Sequence, residues 1–287
     1  LGYSHQLDAD FFDKGQSQSY ITQKLGIPIR LYPEGLLMKD FAHYADSKNI
    51  RFRPKNWAKD HTDDVSRKLG VVGVRELAVN QQLEDTTQVQ DLSSQYICSQ
   101  MRIDDTQSVW DMCSGSGGKS LNLSGQYRAS FYLSDVRPGI LQNAKARFKS
   151  MFYEARFGTA DLSKPTKELR FDEKQVGHAF FDTILADVPC TGSGTWFRTP
   201  ENFTHFDYKK LGSYADRQKQ LVRNGLPFLK KGGKFYYITC SVFAAENEEV
   251  RAWIEENTSL QFVNEMAFDG IAQKADGMYM AEFKLPD

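Results

Sequence analysis

Residues 181–194 read FDTILADVPCTGSG, an apolar run that ends in an acid and breaks at once into proline, cysteine and turn-formers. The β-branched and aromatic stretch up to Asp187 has the texture of a strand buried in a parallel sheet, and Pro189, Gly192 and Gly194 mark an abrupt exit into a loop. Open α/β sheets carry their chemistry outside the carboxyl ends of their strands. Cys190 stands at such a place, where a thiol serves as a nucleophile, an acid–base group or a small apolar filler.

A chain of 287 residues is long enough for one large domain or two smaller ones. With 36 Lys+Arg against 37 Asp+Glu the formal net charge is -1, so no global charge announces a nucleic-acid or membrane partner, and any basic surface must be local. Cys98, Cys113, Cys190 and Cys240 lie far apart with no CxxC pair, which argues against a zinc site and a disulfide scaffold. No metal is therefore expected, and a reducing cytoplasm fits. No signal peptide and no bilayer-spanning apolar run is read, so a cytoplasmic monomer without a membrane partner is expected.

From Val89 onward strands alternate with helices, the sign of a parallel sheet with crossover connections. Strands are expected at 108–113 (SVWDMC), 130–135 (SFYLSD), 155–160 (ARFGTA), 181–187 and 234–240 (KFYYITC). Helices fit VQDLSSQYICSQM, GILQNAKARFKSM, ADRQKQLVRNGLPFLKK and AAENEEVRAWIEEN, the last with acids in its first turn, where the helix dipole favours them. Gly232 and Gly233 read as the turn into the fifth strand. LQFVNE and GMYMAEFKL read as two more strands with no helix between them, giving an α/β fold on a mostly parallel seven-stranded sheet with an antiparallel final strand. Residues 1–88 read as a small α+β extension with an amphipathic stretch carrying Leu37, Phe41 and Tyr44. In it IRFRPKNW interleaves Arg51, Arg53 and Lys55 with Phe52 and Trp57, either a grip on phosphates and bases or an edge strand with solvated charges.

SVWDMCSGSGGKS (108–120) is a strand, a glycine-rich turn and a helix start, which lets backbone N–H groups approach a ligand closely. Gly115 to Lys119 is too short for a phosphate-binding loop and the GxGxxG dinucleotide spacing is absent, which favours another adenosine-type ligand. Asp135 ends the next strand, where a carboxylate accepts both ribose hydroxyls of a nucleoside, and Asp161 sits just past the third. Each alone is as well read as a helix cap or loop acid, but Asp111, Asp135, Asp161 and Asp187 would all fall at one edge of one sheet. Cys240 closes the fifth strand. A strand cysteine is more often inert core, yet Cys190 and Cys240 both sit where loops begin, whereas Cys98 and Cys113 read as packing thiols.

Taken in order, VQDLSSQ, DMCSGSGGKS, SDVR, DVPCTGSG, FRTPE, LKKGGKFYYITCSVFAAENEEV and ADGMYMAEF resemble the Sun-type family of RNA cytosine-5 methyltransferases, from about Val89 to Leu285. Any one of these motifs is weak; the ordered set is specific. Gly115 and Ser116 depart from the family's Ala-Pro, while GGK is intact. Ahead of Val89, FRPKNWAKDHTDDVSRKLG is similar to the family's RNA-facing segment. The resemblance implies a Rossmann-like, S-adenosylmethionine-dependent catalytic domain over 89–287, an RNA-positioning segment over 1–88, and methylation of carbon 5 of a cytosine in ribosomal or transfer RNA. It implies that Cys113, Ser114, Gly115, Ser116, Gly117, Gly118 and Lys119 wrap the methionine part of the cofactor. Asp135 would hold the ribose and Asp161 the adenine amino group, with Asp187 closing the pocket. It makes Cys240 the attacking thiolate and Cys190 the residue that assists product release, while Asp187 and Lys119 hold the cytosine and balance charge on its ring.

The chemistry calls for such a set. Carbon 5 of cytosine is too poor a nucleophile to take a methyl group from a sulfonium directly, so a thiolate must first add to carbon 6. Donation to N3 stabilises the adduct and suits an acid kept partly protonated by burial, a role expected of Asp187. A thiol is only partly ionised at neutral pH, so Cys240 is expected near Lys119 or another cation. The base must leave its stack to reach the site; Trp196, Phe197 and Phe203 are candidates to line its entry, with packing the alternative role for at least one of them. Arg198, Lys209, Lys210, Arg217, Lys219 and Arg223 offer a phosphate-binding surface or the wet face of a helix. A methyltransferase of the same fold acting on DNA or a small molecule, and an RNA-binding or ribosome-assembly factor without turnover, are the alternatives; the two strand-end thiols weigh against the small molecule and against the factor without turnover.

Overall fold

The computed structural model describes residues 90–196, 199, 202–203, 206–268 and 275–287. The expected unit over 1–88, with Arg51, Arg53 and Lys55, lies outside the described residues, as do Phe197 and Arg198.

Seven strands form one sheet: β1 (Ser108–Asp111), β2 (Ser130–Asp135), β3 (Arg156–Thr159), β6 (Phe181–Asp187), β7 (Leu229–Thr239), β8 (Gln261–Phe268) and β9 (Met278–Lys284), in the order β3-β2-β1-β6-β7-β9-β8. Pairing is parallel from β3 to β7, and β9 runs antiparallel to both β7 and β8. The mostly parallel sheet with its antiparallel last strand is thus as the sequence predicts.

Strand alternation sends successive side chains to opposite faces, and each face builds its own core. Trp110, Ile184, Ala186, Phe235 and Tyr237 pack on one side with Ala215, Leu221 and Val222 of α4 (Leu211–Gly225) and Val250 and Ile254 of α5 (Glu248–Asn257). Val109, Leu133, Leu185, Tyr236 and Ile238 pack on the other with Ile97 of α1 (Leu92–Gln100), Leu121 of α2 (Gly118–Ser124) and Leu141, Ala144 and Phe148 of α3 (Pro138–Ser150). Each buried Leu, Ile or Phe contributes about 1.5–3 kcal/mol relative to exposure, so this three-layer packing fixes the strand ends relative to one another. Asp91 caps α1, accepting from the Ser93 N–H at 2.8 Å.

Two local expectations change. The helix read through LPFLKK stops at Gly225, because Pro227 removes an N–H and disfavours helical geometry before it; Leu226–Phe228 form a 3-10 turn and β7 begins at Leu229. Gly232, with φ +73°, lies inside β7 where its register on β6 shifts. A hairpin of β4 (Glu168–Phe171) and β5 (Lys174–Gly177), which the sequence does not announce, drives Leu169, Phe171 and Val176 into the core.

Candidate active site

The register aligns the ends of β2, β1, β6 and β7, so Asp135, Asp111, Asp187 and Thr239 reach one edge. Residues 112–118 leave that edge as a loop tied to both neighbours: the Met112 N–H donates to Leu185 O at 3.0 Å and the Ser114 N–H to Ser134 O at 2.9 Å. The loop then reverses on itself, the Gly117 N–H donating to Ser114 O at 2.8 Å. Gly117 has φ +75°, and a Cβ there would stand 3.0 Å from Leu133 Cδ2, so glycine is required on both counts. Gly115, at φ +53°, donates its N–H to Asp135 Oδ2 at 3.0 Å. Arg147 reaches across from α3 to Ser116 O at 3.0 Å and bridges the loop to that helix.

Asp135 is buried and receives three further donors from one residue: the Arg137 N–H and Nε–H at 2.9 Å on Oδ1, and Nη2 at 3.1 Å on Oδ2. Burial alone would raise its pKa, but the Arg137 bonds and charge, with the Gly115 N–H, hold the carboxyl below the usual range. Asp161 lies one strand further out, fully exposed, and accepts from the Ser163 N–H at 3.0 Å.

Lys119, in the first turn of α2, donates Nζ to Asp187 Oδ2 at 2.7 Å. Burial pulls the Lys119 pKa down, but the Asp187 charge and hydrogen bond outweigh it and keep the ammonium protonated beyond its ordinary range. The side chain of Asp187 is 29% exposed, so the burial expected there is not what the structure provides. Burial is found instead at Asp111, one strand over, 2% exposed, accepting from Ser120 Oγ at 2.6 Å. Its Oδ1 has no hydrogen-bond partner among the described residues, and burial pushes its pKa up to about 7.

Cys190 and Cys240 meet at this edge with Sγ to Sγ 3.3 Å, both free and both half-buried. The hydrogen bond with Cys240 first, then burial and the Cys240 and Glu246 charges, push the Cys190 thiol well up. The two cysteine loops are stitched together: the Gly194 N–H donates to Cys240 O at 2.8 Å and the Val242 N–H to Ser193 Oγ at 2.9 Å. Beneath them lies a buried network that the sequence reading did not single out, made of Glu246, Asn247, Gln218 and Tyr237. Its signal in the sequence is faint: a Glu-Asn pair at a helix start reads as a cap, and Gln218 as one polar residue on an amphipathic helix.

The remaining candidates divide. Trp196 is 5% exposed and packs with Phe203, Phe206 and Phe243, so it is core and not an entry wall. Lys219 and Arg223 lie over the Trp253 ring at 5.9 and 4.8 Å, while Lys209, Lys210 and Arg217 are exposed. Burial pushes the Cys98 thiol up to about 12 and Cys113 well above its ordinary range, in keeping with packing roles for both. Among the described residues no cluster of three or more His, Cys, Asp and Glu is placed to hold a metal ion, and no helix is long and apolar enough to cross a membrane.

The 16S rRNA methyltransferase RsmB/F family model matches residues 99–284. Ribosomal RNA small subunit methyltransferase F of Shewanella loihica is 26% identical over 245 residues, covering 81% of this chain and 47% of its own. Ribosomal RNA small subunit methyltransferase B of Serratia proteamaculans is 27% identical over 177 residues, covering 61% of this chain and 40% of its own. The chain thus spans less than half the length of these curated relatives. Among solved structures, a methyltransferase homolog protein from Pyrococcus horikoshii superposes with a TM-score of 0.59 at 20% identity, covering 97% of this chain and 94% of that one. NSun6 from the same organism gives 0.57 at 17%, covering 69% and 53%. These two likenesses bear on the fold.

Proposed function

The chain belongs to the 16S rRNA methyltransferase RsmB/F family, and from that premise we propose that it transfers a methyl group from S-adenosylmethionine to carbon 5 of a cytosine in ribosomal RNA through a covalent cysteine adduct. The observation that carries the reading is the pair of free thiols, 3.3 Å apart in the loops that follow two adjacent strands, one of which ends in Asp187, ion-paired to Lys119.

The cofactor fits the loop over 112–118. A Cβ on Gly115 would meet nothing nearer than Ile140 Cδ1 at 3.9 Å, so the outer side of the loop is open to a ligand. Asp135 would accept the ribose hydroxyls once Arg137, whose side chain is 65% exposed, swings aside, and Asp161 one strand over would meet the adenine amino group. Cys113 through Lys119 would wrap the methionine part, and Asp187 would close the pocket. Bound there, S-adenosylmethionine supplies an electrophilic methyl group.

The protein's own work begins at Cys240, whose sulfur adds to carbon 6 of the base and leaves carbon 5 enamine-like. Asp187 and Lys119 hold the polar edge of the ring, the carboxylate accepting from the exocyclic amine and the ammonium offsetting charge as it develops. After carbon 5 is methylated, water takes its proton, the ring double bond re-forms and the carbon 6–sulfur bond breaks with its electron pair returning to the Cys240 sulfur. Cys190, held as a thiol in contact with Cys240, assists that release.

The test is labelled S-adenosylmethionine with ribosomal RNA, transfer RNA, DNA or no acceptor, followed by nucleoside analysis. Label in 5-methylcytidine from ribosomal RNA is expected. A folded, cofactor-binding protein that labels no RNA cytosine would overturn the proposal.

A further inference from the structure

Glu246 lies ahead of α5 and is fully buried, yet its carboxylate is saturated by donors. Oε2 accepts from Thr191 Oγ1 at 2.6 Å and from Ser241 Oγ at 2.5 Å; Oε1 accepts from the Thr191 N–H and from Gln218 Nε2, both at 2.9 Å. Thr191 directly follows Cys190 and Ser241 directly follows Cys240. One carboxylate oxygen therefore holds the neighbour of each sulfur, although the two cysteines come from loops 50 residues apart. Gln218 extends the clasp to a third element, donating also to Pro189 O at 3.1 Å, and Asn247 Nδ2 reaches Ser241 O at 2.9 Å. All four donors suit an acceptor-only group, and charge-assisted bonds of this kind are the strong ones.

We propose that Glu246 is a positioning residue for the methyl transfer: it clasps the two cysteine loops and holds their sulfurs as a working pair. A glutamine in its place keeps the side-chain volume but removes the charge: its oxygen still faces the Thr191 N–H and Gln218 Nε2, while the two hydroxyls must turn from donating to accepting from its amide, so all four bonds lose their charge assistance and the grip on the loops weakens. The proposal rests on the thiol-pair reading for its catalytic consequence, but the clasp itself has a readout independent of turnover. Cys190 is faced by Cys240 and Tyr237 from β7, by Glu246, and by the neutral Gln218 from α4; with the Glu246 charge removed, its thiol should ionise at lower pH.

The experiment compares the chain with its Glu246→Gln, Thr191→Val and Ser241→Ala variants, each checked for folding by circular dichroism. Alkylation by iodoacetamide, in which a thiolate displaces iodide, is followed at Cys190 and Cys240 by mass spectrometry across pH 6–10, a range that takes an ordinary thiol, with a pKa of about 8.5, from almost wholly protonated to almost wholly ionised. For Glu246→Gln the Cys190 profile should move to lower pH and kcat should fall about 10–100-fold with KM for RNA nearly unchanged, as misplacement by about 1 Å costs. Should that variant not fold, the two hydroxyl deletions, which leave the charge in place, should each lower kcat about threefold or more and speed alkylation of Cys240. Folded variants with unaltered alkylation and unaltered kcat would overturn the proposal. If the parent chain alkylates as expected but methylates no cytosine, the function reading fails while the clasp stands.

Discussion

Two sulfurs in contact at the end of a sheet can divide a reaction between them only if each has a different exit. Cys240 directly follows the last residue of β7, whereas Cys190 stands in the loop after β6, under the Glu246 charge. Cys240→Ala is therefore expected to abolish any covalent RNA adduct, and Cys190→Ala to let one accumulate, read as a protease-sensitive band shift on denaturing gels; the opposite pattern would exchange the roles. Asp111 supplies a pH dependence with a definite sign. Its carboxyl, raised from 3.8 to about 7 by burial, keeps a proton in the folded state that the unfolded chain has already lost. Stability from this group is complete below about pH 4 and falls as the pH climbs toward 7, by at most roughly 4 kcal/mol at about 1.4 kcal/mol per unit. Asp111→Asn should flatten that fall while still accepting from Ser120. Urea melts of both proteins at pH 5 and pH 8 measure it, and equal pH dependence in the two would show that the buried carboxyl is not the cause.

Among the elements, the loop after β6 is where sequence and packing are most tightly linked. A Cβ on Gly194 would stand 2.2 Å from Gly277 O and 2.9 Å from Cys240 O, which lie on two segments that also hydrogen-bond to it. Gly194→Ala should therefore destabilise by about 2 kcal/mol or more and lower the melting temperature by several degrees. Gly212→Ala is the contrast, since nothing lies within 4 Å of a Cβ there and α4 gains helix propensity, up to about 1 kcal/mol. A calorimetric scan of the two variants decides between close approach and mere chain freedom as the reason for the glycine. The β4–β5 hairpin escaped the sequence reading because its strands are short and its inward residues, Leu169, Phe171 and Val176, are interrupted by Arg170, Asp172 and Gln175. Its strand character comes from pairing and from the core it covers, not from local propensity.

For the whole molecule, a net charge of -1 means that the RNA binding proposed above would have to come from local surface. Lys209, Lys210 and Arg217 are exposed on one stretch, and the basic–aromatic IRFRPKNW segment is the other candidate. Replacing Arg51, Arg53 and Lys55 together should flatten the dependence of log K on log salt by about 2–3, at 0.7–0.9 per phosphate contact. An unchanged slope would make that segment structural. Apart from the β4–β5 hairpin, the order of strands and helices, the loop glycines and the strand-end acids and cysteines were legible in the linear chain, because they are written in periodicity of two, in turn-formers and in residue chemistry placed just past apolar runs. Those signals are local, and they determined the fold class, the edge at which chemistry belongs and the family the motifs resemble. What the chain order could not contain is distance between segments far apart along it. Only the tertiary structure brought Cys190 within 3.3 Å of Cys240, turned Asp187 toward Lys119, sealed Asp111 and gathered Thr191 and Ser241 onto Glu246. Burial and hydrogen bonding are properties of the packed interior, and a carboxylate acquires its role there from whatever the fold sets around it.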